Sequence, residues 1–334
     1  MFSIASYVSS LSESAMLYFL MTWNLLAIVC WMAGISLLNL LQVRCFDRIG
    51  DRAIVSIWSG IVLLSISWLA ASFIVPLSPI VGLTVAGIFM VVALRSKRTW
   101  DEIAQLKAAY SIRWLIAIFC LALLTAVLID RPMVWFDSGG YHIGLIRWLA
   151  QAGTVPGLAL INYAFGFTSS WFAFAAPLVP EILGHHLGAV TNGFVFFLAA
   201  LHVLIALFHF RVQDCRVVDG FAIAVYLPIV AIYTATLFTA SPILVSFSPD
   251  VPVTLLVGMI AWTILGIKEA DRKSQFSSRT TELRSAIFDV KMLPLVLGLG
   301  AFSFKLSAMP ALAIVLLFYG FEVRFALKKL SIAA

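Results

Sequence analysis

The chain has 334 residues, 62% of them hydrophobic and 11% charged, with a formal net charge of +6 and a mean hydropathy of +1.04. Soluble domains carry about 45–50% apolar and about 25% charged residues, so a water-soluble fold is excluded. Apolar runs of about 17 residues or more, without strand-like alternation, exclude a membrane barrel and predict an all-α polytopic membrane protein.

A basic excess in such a protein belongs to cytoplasmic loops, so it does not point to nucleic acid. The opening MFSIASYVSSLSESAM has no basic n-region, which makes the first apolar run a retained span. That run, Met16–Val43, ends on Arg44, Arg48 and Arg52, placing the N-terminus outside. A second span, Ala53–Ile74, leads through the short outer turn Pro76–Pro79 to a third, Ile80–Leu94. RSKR at Arg95–Arg98 and an amphipathic cytoplasmic helix over Thr99–Arg113 follow. The fourth span, Trp114–Ile129, returns outward and delivers an extracytoplasmic loop over residues 130–185.

Span 5 covers His186–Phe210, span 6 Phe221–Phe238 and span 7 Val251–Ile267, before a strongly basic loop from Lys268 to Lys291. The last apolar region, Met292–Glu322, carries Lys305 at its centre. One crossing would leave Arg324, Lys328 and Lys329 outside. Two crossings hinged near Phe304–Ser307 put them inside, for nine spans, N-terminus out and C-terminus in. Residues 1–113 then form a three-span extension plus the amphipathic helix, and 114–334 a membrane core. Cys30 and Cys120 fall in spans, and Cys45 and Cys215 in cytoplasmic loops, so neither a disulfide nor a metal framework is indicated.

The chemistry-bearing residues gather in the outer loop. Asp137 is a general-base candidate or, equally, a helix cap. Ser138 can cap a helix starting near Gly139. That helix, to Ala152, places Gly140, Gly144, Arg147 and Gln151 on one face and Tyr141, Leu145, Trp148 and Leu149 on the other, as for a surface-lying helix. Gly153 and Pro156-Gly157 end it. Phe165–Pro177 is too short to span and reads as a second interfacial or re-entrant segment. His142 is a second base or metal ligand, or a hydrogen-bonded structural residue. His185-His186 marks the start of span 5. Asp250 is a helix N-cap, or an acid serving an acceptor or metal. A lysine amid apolar residues, Lys305, costs about 2.5–3.5 kcal/mol unless it snorkels, meets a ligand phosphate or pairs with an acid.

Phe136-Asp137-Ser138 through His142, then FGFTSSWFAFAAPL, SFSPD at Ser246–Asp250 and GLGAFSFKLSAMPALAIVLLFY at Gly298–Tyr319, resemble in this order the GT-C fold membrane glycosyltransferases. The protein O-mannosyltransferase and lipid A aminoarabinose transferase group is the nearest comparison, and DSGGYH, WLAQAGTVPGL and FTSSWF are similar to a bacterial branch of it. The resemblance covers Ile116–Tyr319. It implies a polyprenyl-phosphate sugar donor, Asp137 as the catalytic acid of the first outer loop, and donor-phosphate contacts from Lys305 and Arg147. Tyr141, His142 and Asp250 would then stand at the acceptor or behind the catalytic group. No cofactor is implied, membrane lipids are the surroundings, and the inner membrane is the location, with the site on its extracytoplasmic side. The chain departs from the group in reading Asp-Ser where an acidic pair is usual, in its three leading spans, and in ending soon after Lys305. A short member, a fragment and an inactive relative all fit those departures. A transporter or flippase of a lipid-linked or small substrate, and a non-catalytic assembly subunit, are the competing classes.

Overall fold

The computed structural model describes residues 4–109, 111–179, 189–274 and 290–333. All regular structure among the described residues is helical. The longer helices are α1 (Ile4–Leu40), α2 (Ile49–Ser72), α3 (Pro79–Leu94), α4 (Lys97–Ala109) and α5 (Ile112–Ile129). Three short helices follow, α6 (Ile143–Ala152), α7 (Leu158–Ile161) and α8 (Ser170–Ala175). The chain continues with α9 (Ala189–Arg211), α10 (Val217–Thr236), α11 (Asp250–Ser274), α12 (Met292–Phe304) and α13 (Met309–Ala333).

Six helices, α1, α2, α5, α9, α10 and α11, are long and apolar enough to cross a bilayer. The protein is therefore a multi-pass helical membrane protein. The expected third span is the short helix α3, about 24 Å at 1.5 Å per residue against a hydrocarbon core of about 30 Å. It reaches span length only together with α4, across a 92° bend. The bend falls where the apolar run gives way to Arg95-Ser96-Lys97-Arg98, and Arg52 holds α4 through a 2.6 Å bond from its Nε to Glu102.

Lys305 breaks the last apolar region as the sequence predicts. Its backbone is extended (φ −154°, ψ 128°), and a 3-10 turn over Leu306–Ala308 starts the return. The two arms run antiparallel: Lys291 before α12 meets Glu322 of α13 at 2.8 Å. Midway, a Cβ on Gly298 would lie 3.5 Å from Leu312 and Val315 of the other arm. The apolar stretches of the two arms, Met292–Phe304 and Leu306–Glu322, are each shorter than the six long apolar helices.

At the centre of the fold, α1 and α2 approach backbone to backbone. A Cβ on Gly34 would lie 1.7 Å from the Ser56 carbonyl oxygen, and one on Gly60 would lie 1.8 Å from that of Cys30. Close approach through small residues is how membrane helices gain dispersion contact when lipid and side chain are equally apolar. Ser59 and Ser65 satisfy their buried hydroxyls on carbonyls one turn back in the same helix, so α2 can be buried without stranding a donor.

Successive long helices alternate in direction, and their connections collect at two ends. At one, Leu77 donates its amide to Leu149 O at 2.8 Å, Thr154 to Ser72 O at 2.7 Å, and Arg131 reaches Leu237 O at 2.5 Å. At the other, Arg48 joins Asp219, Arg216 joins Asp47, and Glu322 receives Lys268 and Lys291. Among the described lysines and arginines, Arg131, Arg147 and Lys305 are the ones that fall at the first end. The two are called here the site end and the basic end.

Candidate functional site

The chain enters the site end through Asp130 and turns into a π-helical turn, Ser138–His142, closed by the Ile143 amide on Ser138 O, that runs into α6. The helical conformation already includes Asp137, so Ser138 lies inside the turn and caps nothing, contrary to expectation. Its buried hydroxyl instead lies 3.2 Å from His142 Nδ1 and accepts the Phe247 amide at 3.4 Å, tying two loops of the site end together. The Asp137 carboxylate makes no capping bond, which removes the structural half of its sequence reading. Wide π-type turns inside helices occur frequently at functional sites.

His142 is 1% exposed, with its ring against Tyr141 at 4.4 Å and Phe172 at 5.0 Å between centroids. Its Nε2 is buried without a partner among the described residues. Burial pushes its pKa down to about 4, opposed by the charges of Asp137 and Asp250 and assisted by that of Lys305. The imidazole is therefore neutral at pH 7, with one nitrogen available to a ligand. Burial, then the charges of Asp137 and Asp250, also raises the Tyr141 phenol. Asp137, Asp250 and Lys305 thus all act electrostatically on the His142 ring.

Lys305, at the hairpin tip, forms an ion pair with Asp250 at the start of α11. The side chains are 37% and 46% exposed, so the pair stands at a solvent-reachable rim. Of the three sequence readings of Lys305, pairing with an acid is the contact observed. Asp250 is not the N-cap expected of it: Ser248 accepts the Asp250 amide at 3.3 Å and donates its hydroxyl to Asp250 Oδ2 at 2.8 Å. An acid in the first turn of α11 still complements the helix dipole.

Both partners of the pair are held from beneath. Buried Asn192 in α9 donates to Ser246 O at 2.7 Å and Ser248 O at 3.1 Å, and accepts Trp171 Nε1 at 3.1 Å. Ser169 donates to Phe304 O at 2.6 Å, and Ser170 lies 2.8 Å from Ser303 Oγ. Of the segment read as interfacial or re-entrant over Phe165–Pro177, Ser170–Ala176 is buried against α2, α6 and α12 and forms a floor for the site. Its phenylalanine and alanine side chains have no polar edge, and the Trp171 indole N–H is satisfied inside by Asn192, so the bundle takes them in. Sequence reasoning passed over Asn192, Ser169 and Ser248; an asparagine inside an apolar span was the available signal.

Arg147 does not join this group. It is exposed on α6, opposite the buried Leu145, Ile146 and Leu149, with no bond to Asp137, Asp250 or Lys305. His185-His186 and the basic residues Arg279 and Arg284 lie outside the described residues.

A second polar cluster sits at the basic end. Asp51, His209 and Asp219 bring their ligand atoms within 4.8 Å of one another, as a metal site would. Arg48 fills that role already: its Nε donates to Asp51 at 2.7 Å, and its two terminal nitrogens to Asp219 at 2.8 Å each. A guanidinium in that place makes the cluster a charge-balanced brace between the α1–α2 and α9–α10 connections and a poor cation site.

Residues 16–334 match the family model described as Domain of unknown function (DUF8201), and the chain belongs to that family. No curated protein and no solved structure matches it.

Proposed function

We propose that this member of the DUF8201 family is an inverting glycosyltransferase that moves a sugar from a polyprenyl phosphate to an acceptor in the cell envelope. The observation that carries the reading is the meeting of Asp137, His142, Asp250 and Lys305 at one end of the bundle, from three loops far apart in sequence. The resemblance of the same segments to GT-C enzymes supports it. The positive-inside rule makes the basic end cytoplasmic and the site end extracytoplasmic. With α3 and both hairpin arms crossing, the chain has nine spans, N-terminus out, in the inner membrane.

In this reaction Asp137 takes the proton of an acceptor hydroxyl as its oxygen attacks the anomeric carbon. The bond from that carbon to the phosphate oxygen breaks, and polyprenyl phosphate leaves with the electron pair. Lys305, released from Asp250, neutralises the departing phosphate, the main electrostatic contribution to the rate. His142, neutral with Nε2 unengaged, orients acceptor or phosphate by one hydrogen bond. No step requires a metal.

The test is transfer from a polyprenyl-phosphate sugar by the purified protein in liposomes, comparing wild type with Asp137→Asn. Loss of a general base lowers turnover about 10²–10⁴-fold with donor binding retained. Equal turnover in the two proteins, or donor binding in neither, refutes the proposal and favours a transporter or an assembly subunit.

A further inference from the structure

At the basic end, away from the candidate site, α5 and α9 diverge around a lateral groove of about 530 Å³. Leu204 and Leu207 form one wall, and Trp114 packs edge-on to Phe208 at 4.8 Å between ring centroids at its inner side. Arg113 and Arg211 line the same groove, one at the start of α5 and one at the end of α9. Both are exposed, and neither takes part in a described ion pair or hydrogen bond. Arg48, Arg52 and Arg216, at the same end, are all bound to carboxylates. No described acidic residue lines the groove. Beyond Trp114 and Phe208 lies a smaller cavity of about 190 Å³, reached by Arg48 and His209.

We infer that this groove holds an anionic phospholipid of the leaflet at the basic end, its phosphate between Arg113 and Arg211 and an acyl chain along Leu204 and Leu207. The argument is one of two-part complementarity. The walls offer apolar surface from Trp114 and Ala117 on α5 and from Leu204, Leu207 and Phe208 on α9. The rim offers two unneutralised guanidinium groups at the end of the helices, where headgroups lie. Basic pockets between spans on the cytoplasmic side recognise acidic headgroups in this way, and arginine suits phosphate because its planar fork donates two parallel bonds. An apolar peptide helix would leave both arginines unpaired, and free phosphate would leave the apolar walls uncovered. The inference does not rest on the glycosyl-transfer reading.

The test is binding of phosphatidylglycerol to the purified full-length protein, followed by native mass spectrometry and by thermal shift in detergent. Phosphatidylcholine, inorganic phosphate in excess, and the variants Arg113→Gln/Arg211→Gln, Arg113→Lys/Arg211→Lys and Lys97→Gln/Arg98→Gln are compared. The expected result is retention of phosphatidylglycerol over phosphatidylcholine, weakened about 30-fold by the paired glutamines. The paired lysines should restore part of it, and the Lys97/Arg98 pair, which removes two charges elsewhere at the same end, should leave it intact. Equal binding of the two lipids, displacement by inorganic phosphate, or equal loss in the Lys97/Arg98 variant overturns the inference. If the glutamine pair is misfolded by circular dichroism, the lysine pair decides: binding no better than that of phosphatidylcholine refutes the groove.

Discussion

Gly60→Ala adds one methyl group where α2 lies against α1, and the fold has no room for it. The new Cβ would stand 1.8 Å from the Cys30 carbonyl oxygen, against an ordinary contact that begins at 3.4 Å. The obstacle is backbone, so no rotamer change relieves it, and the two helices must part by roughly 1.5 Å. Parting also opens the reciprocal contact of Gly34 on Ser56 and loosens buried Cys30, Ala33 and Trp58. Overpacking costs about 1–3 kcal/mol where side chains can yield, and the rigid neighbour puts this case at about 3 kcal/mol. At about 2.1 cal/mol/K of unfolding entropy per residue, a chain of 334 residues loses about 1.4 °C per kcal/mol, so the thermal midpoint in detergent falls by about 4 °C. Gly87→Ala on α3 is the internal control, since nothing lies within 4 Å of its added Cβ. Helix propensity predicts an unchanged or slightly raised midpoint there, by up to about 1 kcal/mol. A Gly60→Ala midpoint equal to that of Gly87→Ala would refute the α1–α2 packing described.

Arg48→Met strands Asp51 and Asp219, whose side chains are 4% and 3% exposed, beside one another without their shared guanidinium. The expected loss is about 3–5 kcal/mol in denaturation, not rescued by Arg48→Lys because an ammonium cannot span both carboxylates; a loss below about 1 kcal/mol contradicts the brace. His142 titrates at about 4 in the folded protein, below the unfolded imidazole value of about 6.5. Its burial as a neutral ring therefore contributes fully above about pH 6.5 and is withdrawn as the pH falls toward 4, by about 3 kcal/mol in all. His142→Gln should flatten that part of the stability profile, and an unchanged profile would show that the ring is not held neutral.

Much of the fold was legible because a bilayer leaves few options. Apolar runs and their basic borders located all six long helices, though α1 begins 12 residues before the expected span and α11 runs seven beyond it, and Lys305 in the middle of the last apolar region marked its own hinge. The bend between α3 and α4 was visible in the switch from apolar residues to RSKR. The loop between α5 and α9 was read less well, since capping is a local rule and the partners there are remote. Ser138 turned from its own helix to the Phe247 amide, 109 residues away, and Asp250 gave its carboxylate to Lys305, 55 residues on. The brace at the basic end went unseen for the same reason, although both helix starts carry the spacing Arg-x-x-Asp: Arg48 to Asp51 and Arg216 to Asp219. Ser170–Ala176 has no periodicity to reveal burial on all sides; its lack of charged side chains was the only hint.

Sidedness is the premise on which the proposed chemistry stands, and impermeant thiol labelling of intact cells measures it. Exposed Cys215 reports on the basic end, once Cys30, Cys45 and Cys120 are replaced. Added cysteines at Thr239 and Ser307, both exposed, report on the site end and the hairpin tip. The account predicts that positions 239 and 307 react from outside and Cys215 only after permeabilisation. Labelling of position 307 together with Cys215, and apart from 239, would contradict it.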